Sequence, residues 1–214
     1  MSRPPVVAID GPAGSGKSTA AKALADRLGV PHIDTGAYYR AAALAVMRAG
    51  VDPQTASADA ISDIVRAVSI DRMGGRTLLD GQDVEAEIRG EAVTAHVSAV
   101  ARVQSVRDQL LAAQQAGIER DGGVIEGRDA ATRVAPTADV KVWLDADVEE
   151  RARRRASQAG EADRVDFHAD DLARRDSADA AQMEVAADAI VLDTTRMAPD
   201  EVVDAVVELV TARR

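Results

Sequence analysis

Short apolar runs alternate along the chain with longer stretches in which apolar residues recur every three to four positions. That is the rhythm of parallel strands joined by helices. Val6–Asp10 reads as a first strand and Lys17–Leu28 as the helix after it. Val30–Asp34 predicts a short second strand, and Ala37–Arg48 an Ala-rich helix ended by Gly50-Val51-Asp52-Pro53. Ser57–Val68 predicts a further helix. The texture then changes. Ser69–Arg72, Arg76–Asp80 and Val84–Ile88 are short strand-like pieces parted by Gly74-Gly75 and Gly81-Gln82, which predicts a small antiparallel meander. Helical spacing returns over Glu91–Val100 and Val103–Glu119, and Gly122–Glu126 and Val140–Leu144 read as buried strands. A charged helix, Val148–Gln158, leads through a polar loop, Ala159–Arg164, to another helix over Phe167–Asp176. Ala189–Asp193 is the last strand. Pro199–Ala212 is the last helix, with Val202, Val206, Leu209 and Val210 on one apolar face. Five core strands in this alternation predict a doubly wound α/β sheet, flanked by helices, with ligands at the carboxyl ends of the strands.

Composition narrows the picture. The chain has 214 residues, 46% of them hydrophobic, enough for one large domain with inserted subdomains. One Trp, two Tyr and one Phe leave the core to Ala, Val, Leu and Ile, so Tyr38 and Tyr39 read as core residues. A formal charge of −10 opposes non-specific attraction to nucleic acid or an anionic membrane. Arginines are nevertheless clustered, as a phosphate-handling pocket in an acidic protein requires. The absence of cysteine excludes disulfides, thiol nucleophiles and Cys-based metal sites. No signal-peptide pattern and no apolar run near ~18 residues occurs, so a soluble cytoplasmic protein is the default expectation. The three histidines, His32, His96 and His168, show no metal-ligand spacing and read as structural or exposed.

Chemistry concentrates just after strands. Gly11, Gly16, Lys17 and Ser18 fit the P-loop spacing G-x-x-x-x-G-K-[ST] between the first strand and the first helix. The loop Gly11-Pro12-Ala13-Gly14-Ser15-Gly16 lets backbone N–H groups curl around phosphate oxygens, and the helix start at Lys17, Ser18 and Thr19 adds its dipole. Lys17 is placed to reach the β- and γ-phosphates and the Ser18 hydroxyl to ligate Mg²⁺, with Asp10 or Glu126 assisting through water. After the second strand, Asp34 or Thr35 reads as a helix cap. Arg40, on an otherwise apolar helix, is either a solvated charge or, as we favour, an anion ligand. Glu126-Gly127-Arg128-Asp129 follows the third core strand. It is either a turn with a surface ion pair or a phosphate grip at Arg128 beside a hydrogen-bond acceptor at Asp129. The run Glu149-Glu150-Arg151-Ala152-Arg153-Arg154-Arg155 is either a solvated face or a set of cations closing over phosphates. Arg151 and Arg155 share one face at i,i+4 spacing. No guanine-reading [NT]-K-x-D segment occurs, against a GTPase-type switch.

The blocks Ile9–Ser18, Asp34-Thr35-Gly36-Ala37-Tyr38-Tyr39-Arg40, Gly81–Val84 with Glu87-Ile88-Arg89, Val97–Ala101 with Val106-Arg107, and Glu126–Asp129 occur in that order. Val140–Ala146, Glu150–Arg155, Arg174-Arg175-Asp176 and Val191-Leu192-Asp193-Thr194 complete the series. Together they resemble the bacterial cytidylate kinases of the nucleoside monophosphate kinase group. The resemblance implies ATP- and Mg²⁺-dependent phosphorylation of CMP and dCMP in pyrimidine nucleotide metabolism, by a monomer. It also implies a single P-loop kinase domain over 1–214: core 1–37, 101–155 and 169–214, a monophosphate-binding insert 38–100, and a lid 156–168. Thr35, Arg40, Ser98, Arg107, Arg128, Asp129, Arg175 and Asp179 are then the acceptor residues. Of these, Ser98, Arg107 and Asp129 would read the cytosine edge, and Arg40 and Arg128 would grip the phosphate. Lys17, Arg128, Arg151, Arg154 and Arg175 would surround the transferring group, with Arg155 on the ATP side. The chain departs from the pattern at Ala131, where relatives carry Gly and a positive φ would be strained, at Gln182 in place of Arg, and in the acidic Glu161-Ala162-Asp163.

Overall fold

The computed structural model describes residues 3–116 and 118–213. The chain forms two compact units, residues 1–33 with 117–214, and residues 34–116. In the first, β1 (Val6–Asp10), β2 (His32–Asp34), β6 (Gly123–Glu126), β7 (Val140–Asp145) and β8 (Ile190–Asp193) make a five-stranded parallel sheet ordered β2-β6-β1-β7-β8. Helices α1 (Lys17–Leu28), α6 (Ile118–Asp121), α7 (Val148–Ala159), α8 (Val165–Asp179) and α9 (Pro199–Ala212) accompany it. The core is aliphatic. Val7, Ile9, Val124, Val142 and Leu144 from the strands pack with Ala21 and Leu24 of α1 and with Val202, Val206 and Val210 of α9. Chain order reverses on either side of β1, which makes its carboxyl end the switch point of the sheet. Ile9 is in register with Glu126, so the loops after β1 and β6 leave the sheet side by side.

The second unit holds α2 (Thr35–Arg48), α3 (Ala58–Arg66), α4 (Glu91–Ala101), α5 (Gln104–Gln115) and a three-stranded antiparallel sheet, β3 (Ile70–Met73), β4 (Arg76–Leu79) and β5 (Gln82–Asp83). Its core gathers Tyr38, Leu44, Val46, Ile61, Ile88, Val100 and Val106. Tyr38 and Tyr39 are buried in it.

Three expectations change. Val84–Ile88 is no strand: β5 ends at Asp83, and Glu87–Arg89 is a single helical turn. Val84 and Ile88, four residues apart, suit a strand face and a helix face equally. The helix expected over Val103–Glu119 ends at Gln115 and is followed by α6. The helix expected over Phe167–Asp176 runs from Val165 to Asp179, which carries Asp179 onto the same element as Arg175. Among the described residues no helix is long and apolar enough to cross a membrane.

Candidate active site

β1 runs into the glycine-rich loop and then into α1. Gly11 has φ +148°, and a Cβ there would lie 2.1 Å from the Leu144 carbonyl oxygen on β7, so only glycine fits. Gly16, at φ +92°, caps α1 and leaves its first N–H groups facing outward. Lys17 folds back over this loop, and its Nζ donates to the Pro12 carbonyl at 2.6 Å. The Ser18 hydroxyl donates to Glu126 Oε2 at 2.7 Å, and Glu126 Oε1 lies 2.8 Å from His32 Nε2. Strand register accounts for this chain, because Glu126 ends β6 next to β1 and His32 starts β2 on the far side of β6. Thr19 is exposed one residue on. The Ser15 hydroxyl is buried without a hydrogen-bond partner among the described residues.

Asp10 ends β1 among backbone donors. Its two carboxylate oxygens accept the Ala130 and Ala131 N–H groups, each at 2.7 Å, and it is 2% exposed. Asp10 therefore clips the loop after Asp129 to the end of β1. Glu126 is the carboxylate at Ser18. Burial raises the Asp10 carboxyl to about 6, with the two N–H groups pulling the other way. Ala131 carries no strain, since Asp80 is the one non-glycine residue at positive φ among the described residues.

Cations gather around the loop. Burial, and then the charge of Arg128, push the Lys17 ammonium down to about 7, against Glu126 and Asp10. Burial also holds the Arg175 guanidinium below its ordinary value; Arg128 and Arg155 add to this, and Asp171 and Asp179 oppose it. Arg175 Nε is buried without a hydrogen-bond partner among the described residues. Arg128 lies 2.9 Å from Asp179 and 3.3 Å from Asp176, and reaches the Gly11 carbonyl at 3.4 Å.

The arginine run divides by face. Arg153 is exposed and paired with Glu149 and Glu150, a solvated face. Arg154 is held by Glu150 and by both the hydroxyl and the carbonyl of Thr194, whose hydroxyl also donates to the Ser15 carbonyl at 3.3 Å. Arg151 is buried and donates to Ala13 O at 2.8 Å, Ala146 O at 3.0 Å and Asp176 at 2.6 Å. Thr194, His32 and Asp176 had no role in the sequence reading. Thr194 stands just past a strand, a positional signal that was available. Asp176 stood in a family block without a role of its own, and a lone histidine carries no such signal.

The other expected acceptor residues lie in the second unit. Asp34, not Thr35, caps α2, accepting the Ala37 N–H at 3.0 Å, and Thr35 is buried at the first helical position. Arg40 donates to Ile88 O and Thr94 Oγ1. Arg107 is buried against the Tyr39 ring, 5.7 Å from its centroid, and donates to Ala101 O. Ser98 is half-buried on α4. In the first unit Asp129 is buried beside Arg128. The Gln182 side chain lies outside the described residues.

A P-loop at a sheet's switch point, with half-buried cations gathered around it, suits an anion but names no acceptor. Comparison with known proteins supplies the family. The cytidylate kinase family profile matches residues 7–212. A cytidylate kinase of Mycolicibacterium paratuberculosis is 46% identical over 100% of this chain and 98% of its own. One of Geobacillus kaustophilus is 42% identical over 100% and 99%. A crystal structure of an uncharacterized protein from Eubacterium ventriosum shares the fold, with a TM-score of 0.54 at 13% identity over 98% and 99% of the two chains. With the profile spanning both units and these relatives matching end to end, the chain belongs to the cytidylate kinase family.

Proposed function

We propose that this chain transfers the γ-phosphoryl group of ATP to CMP or dCMP, giving ADP and CDP or dCDP. The observation that carries the reading is the crowding of Lys17, Arg128 and Arg175 beside a P-loop. Lys17 and Arg175 are both held below their ordinary values by burial and by the charge of Arg128, and a polyphosphate would neutralise all three. The acceptor comes from the family. The P-loop N–H groups from Gly14 to Thr19 and Lys17 hold the β- and γ-phosphates of ATP, with Arg155 on the donor side. Arg40 and Arg128 grip the acceptor phosphate; Thr35, Arg175 and Asp179 complete its pocket; Ser98, Arg107 and Asp129 read the cytosine edge. Residues 38–100 serve as the monophosphate-binding region and 156–168 as a lid. The working unit is a single chain in the cytoplasm.

Ser18 and Glu126 fit Mg²⁺, because a hydroxyl beside a buried carboxylate offers the hard oxygen atoms this ion takes along with water and phosphate. When bound, the ion neutralises charge on the β- and γ-phosphates. The acceptor monophosphate is largely dianionic at neutral pH, its second pKa being about 6, so no protein base is needed. One of its oxygens attacks the γ-phosphorus, the bond from phosphorus to the β–γ bridging oxygen breaks, and that electron pair leaves with ADP. Lys17, Arg128, Arg151, Arg154 and Arg175 act by position and charge on a loose transition state. Assay with ATP, Mg²⁺ and a panel of nucleoside monophosphates tests the reading. CMP and dCMP should turn over fastest, and faster turnover of UMP, AMP or GMP overturns the acceptor. Lys17→Ala should abolish transfer; unchanged CMP phosphorylation in that variant would sink the mechanism.

A further inference from the structure

Helix α8 sets Leu172, Asp176 and Asp179 along one side at i, i+4 and i+7. Leu172 is buried against Ala13 and Ala152, which seats the helix on the flank of the P-loop. One turn further on, the Asp176 carboxylate meets three donors from three segments. Oδ1 accepts the Ala13 N–H at 3.1 Å and Arg128 Nη1 at 3.3 Å, and Oδ2 accepts Arg151 Nη1 at 2.6 Å. The P-loop, the turn after β6 and helix α7 thus converge on one carboxylate. Arg128 lies among cations that repel it, Lys17 and Arg175. A long side chain in that company turns toward solvent unless anions of fixed position hold it. Asp176 shares Arg128 with Asp179, which lies 2.9 Å from that guanidinium, and is the one carboxylate among the described residues that holds Arg151. Charge-assisted bonds of this kind give direction as well as strength.

We propose that Asp176 is a positioning residue of the phosphoryl-transfer site, aiming Arg128 and Arg151 at the phosphates and fixing the bend of the P-loop at Ala13. The proposal rests on the phosphoryl-transfer reading above. Asp176 works through the residues it holds and touches no nucleotide. Its charge has a second effect: it competes with the phosphates for the same guanidinium groups. Removing it therefore misaims the arginines without weakening the pull of the site on anions. A residue that merely supports the fold would weaken binding and catalysis together.

The test compares Asp176→Asn and Asp176→Glu with the parent chain in kcat, KM for ATP and CMP, Kd for inorganic tripolyphosphate, and Tm. The Asn variant should lose about 100-fold in kcat, the scale of a misplacement near 1 Å. Its Kd for tripolyphosphate should stay within about threefold of the parent or tighten, and Glu should recover part of the kcat. A kcat for Asn within about threefold of the parent overturns the proposal, as does a kcat loss matched by weaker tripolyphosphate binding and a lower Tm. Should the variants fail to fold, side-chain ¹⁵N NMR of the parent decides. Restricted Arg151 guanidinium rotation without nucleotide supports the proposal, and free rotation overturns it. A parent that phosphorylates no nucleoside monophosphate overturns the underlying reading instead. The tripolyphosphate and NMR results still judge Asp176, so the two failures are told apart.

Discussion

Lys17 sits where its own charge is disfavoured. With a folded pKa of about 7 against 10.5 for an unperturbed lysine, the unfolded chain binds the extra proton between those values, so this group makes stability rise with pH across that window. A bound polyphosphate reverses the local field and restores the proton. ATP binding at pH 8 should therefore take up about one proton in the parent and none in Lys17→Ala. Calorimetry in buffers of different ionisation enthalpy measures this directly, and a parent that takes up no proton would contradict the crowding on which the anion site rests. Lys17 and Ser18 were legible because the P-loop fixes them by spacing to the helix start, and Glu126 because it ends a strand. Asp176 stood in the family block Arg174-Arg175-Asp176, but its partners were not legible, because it meets Arg151 and Arg128 across 25 and 48 residues, and no local pattern encodes such a meeting. The choice between Asp10 and Glu126 beside Ser18 stayed open in the sequence for a related reason. A strand-terminal carboxylate has the same signature whether it helps to hold a cation or clips a neighbouring loop.

The arginine run of α7 shows how one element sorts identical residues by face. Arg153 and Arg154 are adjacent, yet one faces water and the other is tied to Thr194. Arg153→Ala should leave Tm and kcat unchanged, as expected of exposed i,i+4 pairs. Arg151→Ala should remove transfer and also destabilise by about 3–5 kcal/mol, the cost of opening a buried ion pair. Thermal unfolding with the kinetic assay separates the two, and equal effects would mean the faces are misassigned. The turn at Glu87–Arg89 carries a second consequence. Burial raises the Asp34 carboxyl, but the charge and hydrogen bond of Arg89, 2.7 Å away, win and hold it below the usual carboxylate range. A depressed carboxylate contributes stability above its unfolded pKa of 3.8 and loses it as pH falls through the lower folded value. Arg89→Gln should therefore lower Tm at pH 7, with the deficit shrinking toward pH 3. A deficit independent of pH would assign the loss to packing. The longer helices were legible, whereas α6 was not told apart from α5. The turn was not legible either, because Val84 and Ile88 fit both periodicities.

At the scale of the whole molecule, each of the two units carries a large apolar core of its own. Val7, Ile9, Val142 and Leu144 anchor one, and Tyr38, Val46, Ile88 and Val106 the other. The alternation of strands and helices made the first core legible, and the break in texture after Val68 marked where a different architecture begins. Strand order was not legible, since nothing local tells β6 to pair with β1 ahead of β2. Yet that order sets Glu126 beside Ser18. Two cores of this kind are expected to open as distinct cooperative units with their own free energies. Ile88 is fully buried, and Ile88→Ala should cost about 2–5 kcal/mol through lost contacts and the cavity left behind. Hydrogen exchange should show that loss concentrated in residues 34–116, while the amides of β1, β6 and β7 keep their protection. Tripolyphosphate should do the reverse, raising protection at residues 10–19 and around Arg128, because it stabilises only the unit that holds the P-loop. At about 100 times its Kd it adds roughly 2.7 kcal/mol there. If Ile88→Ala instead lowered protection equally in both units, a single cooperative core would be at work.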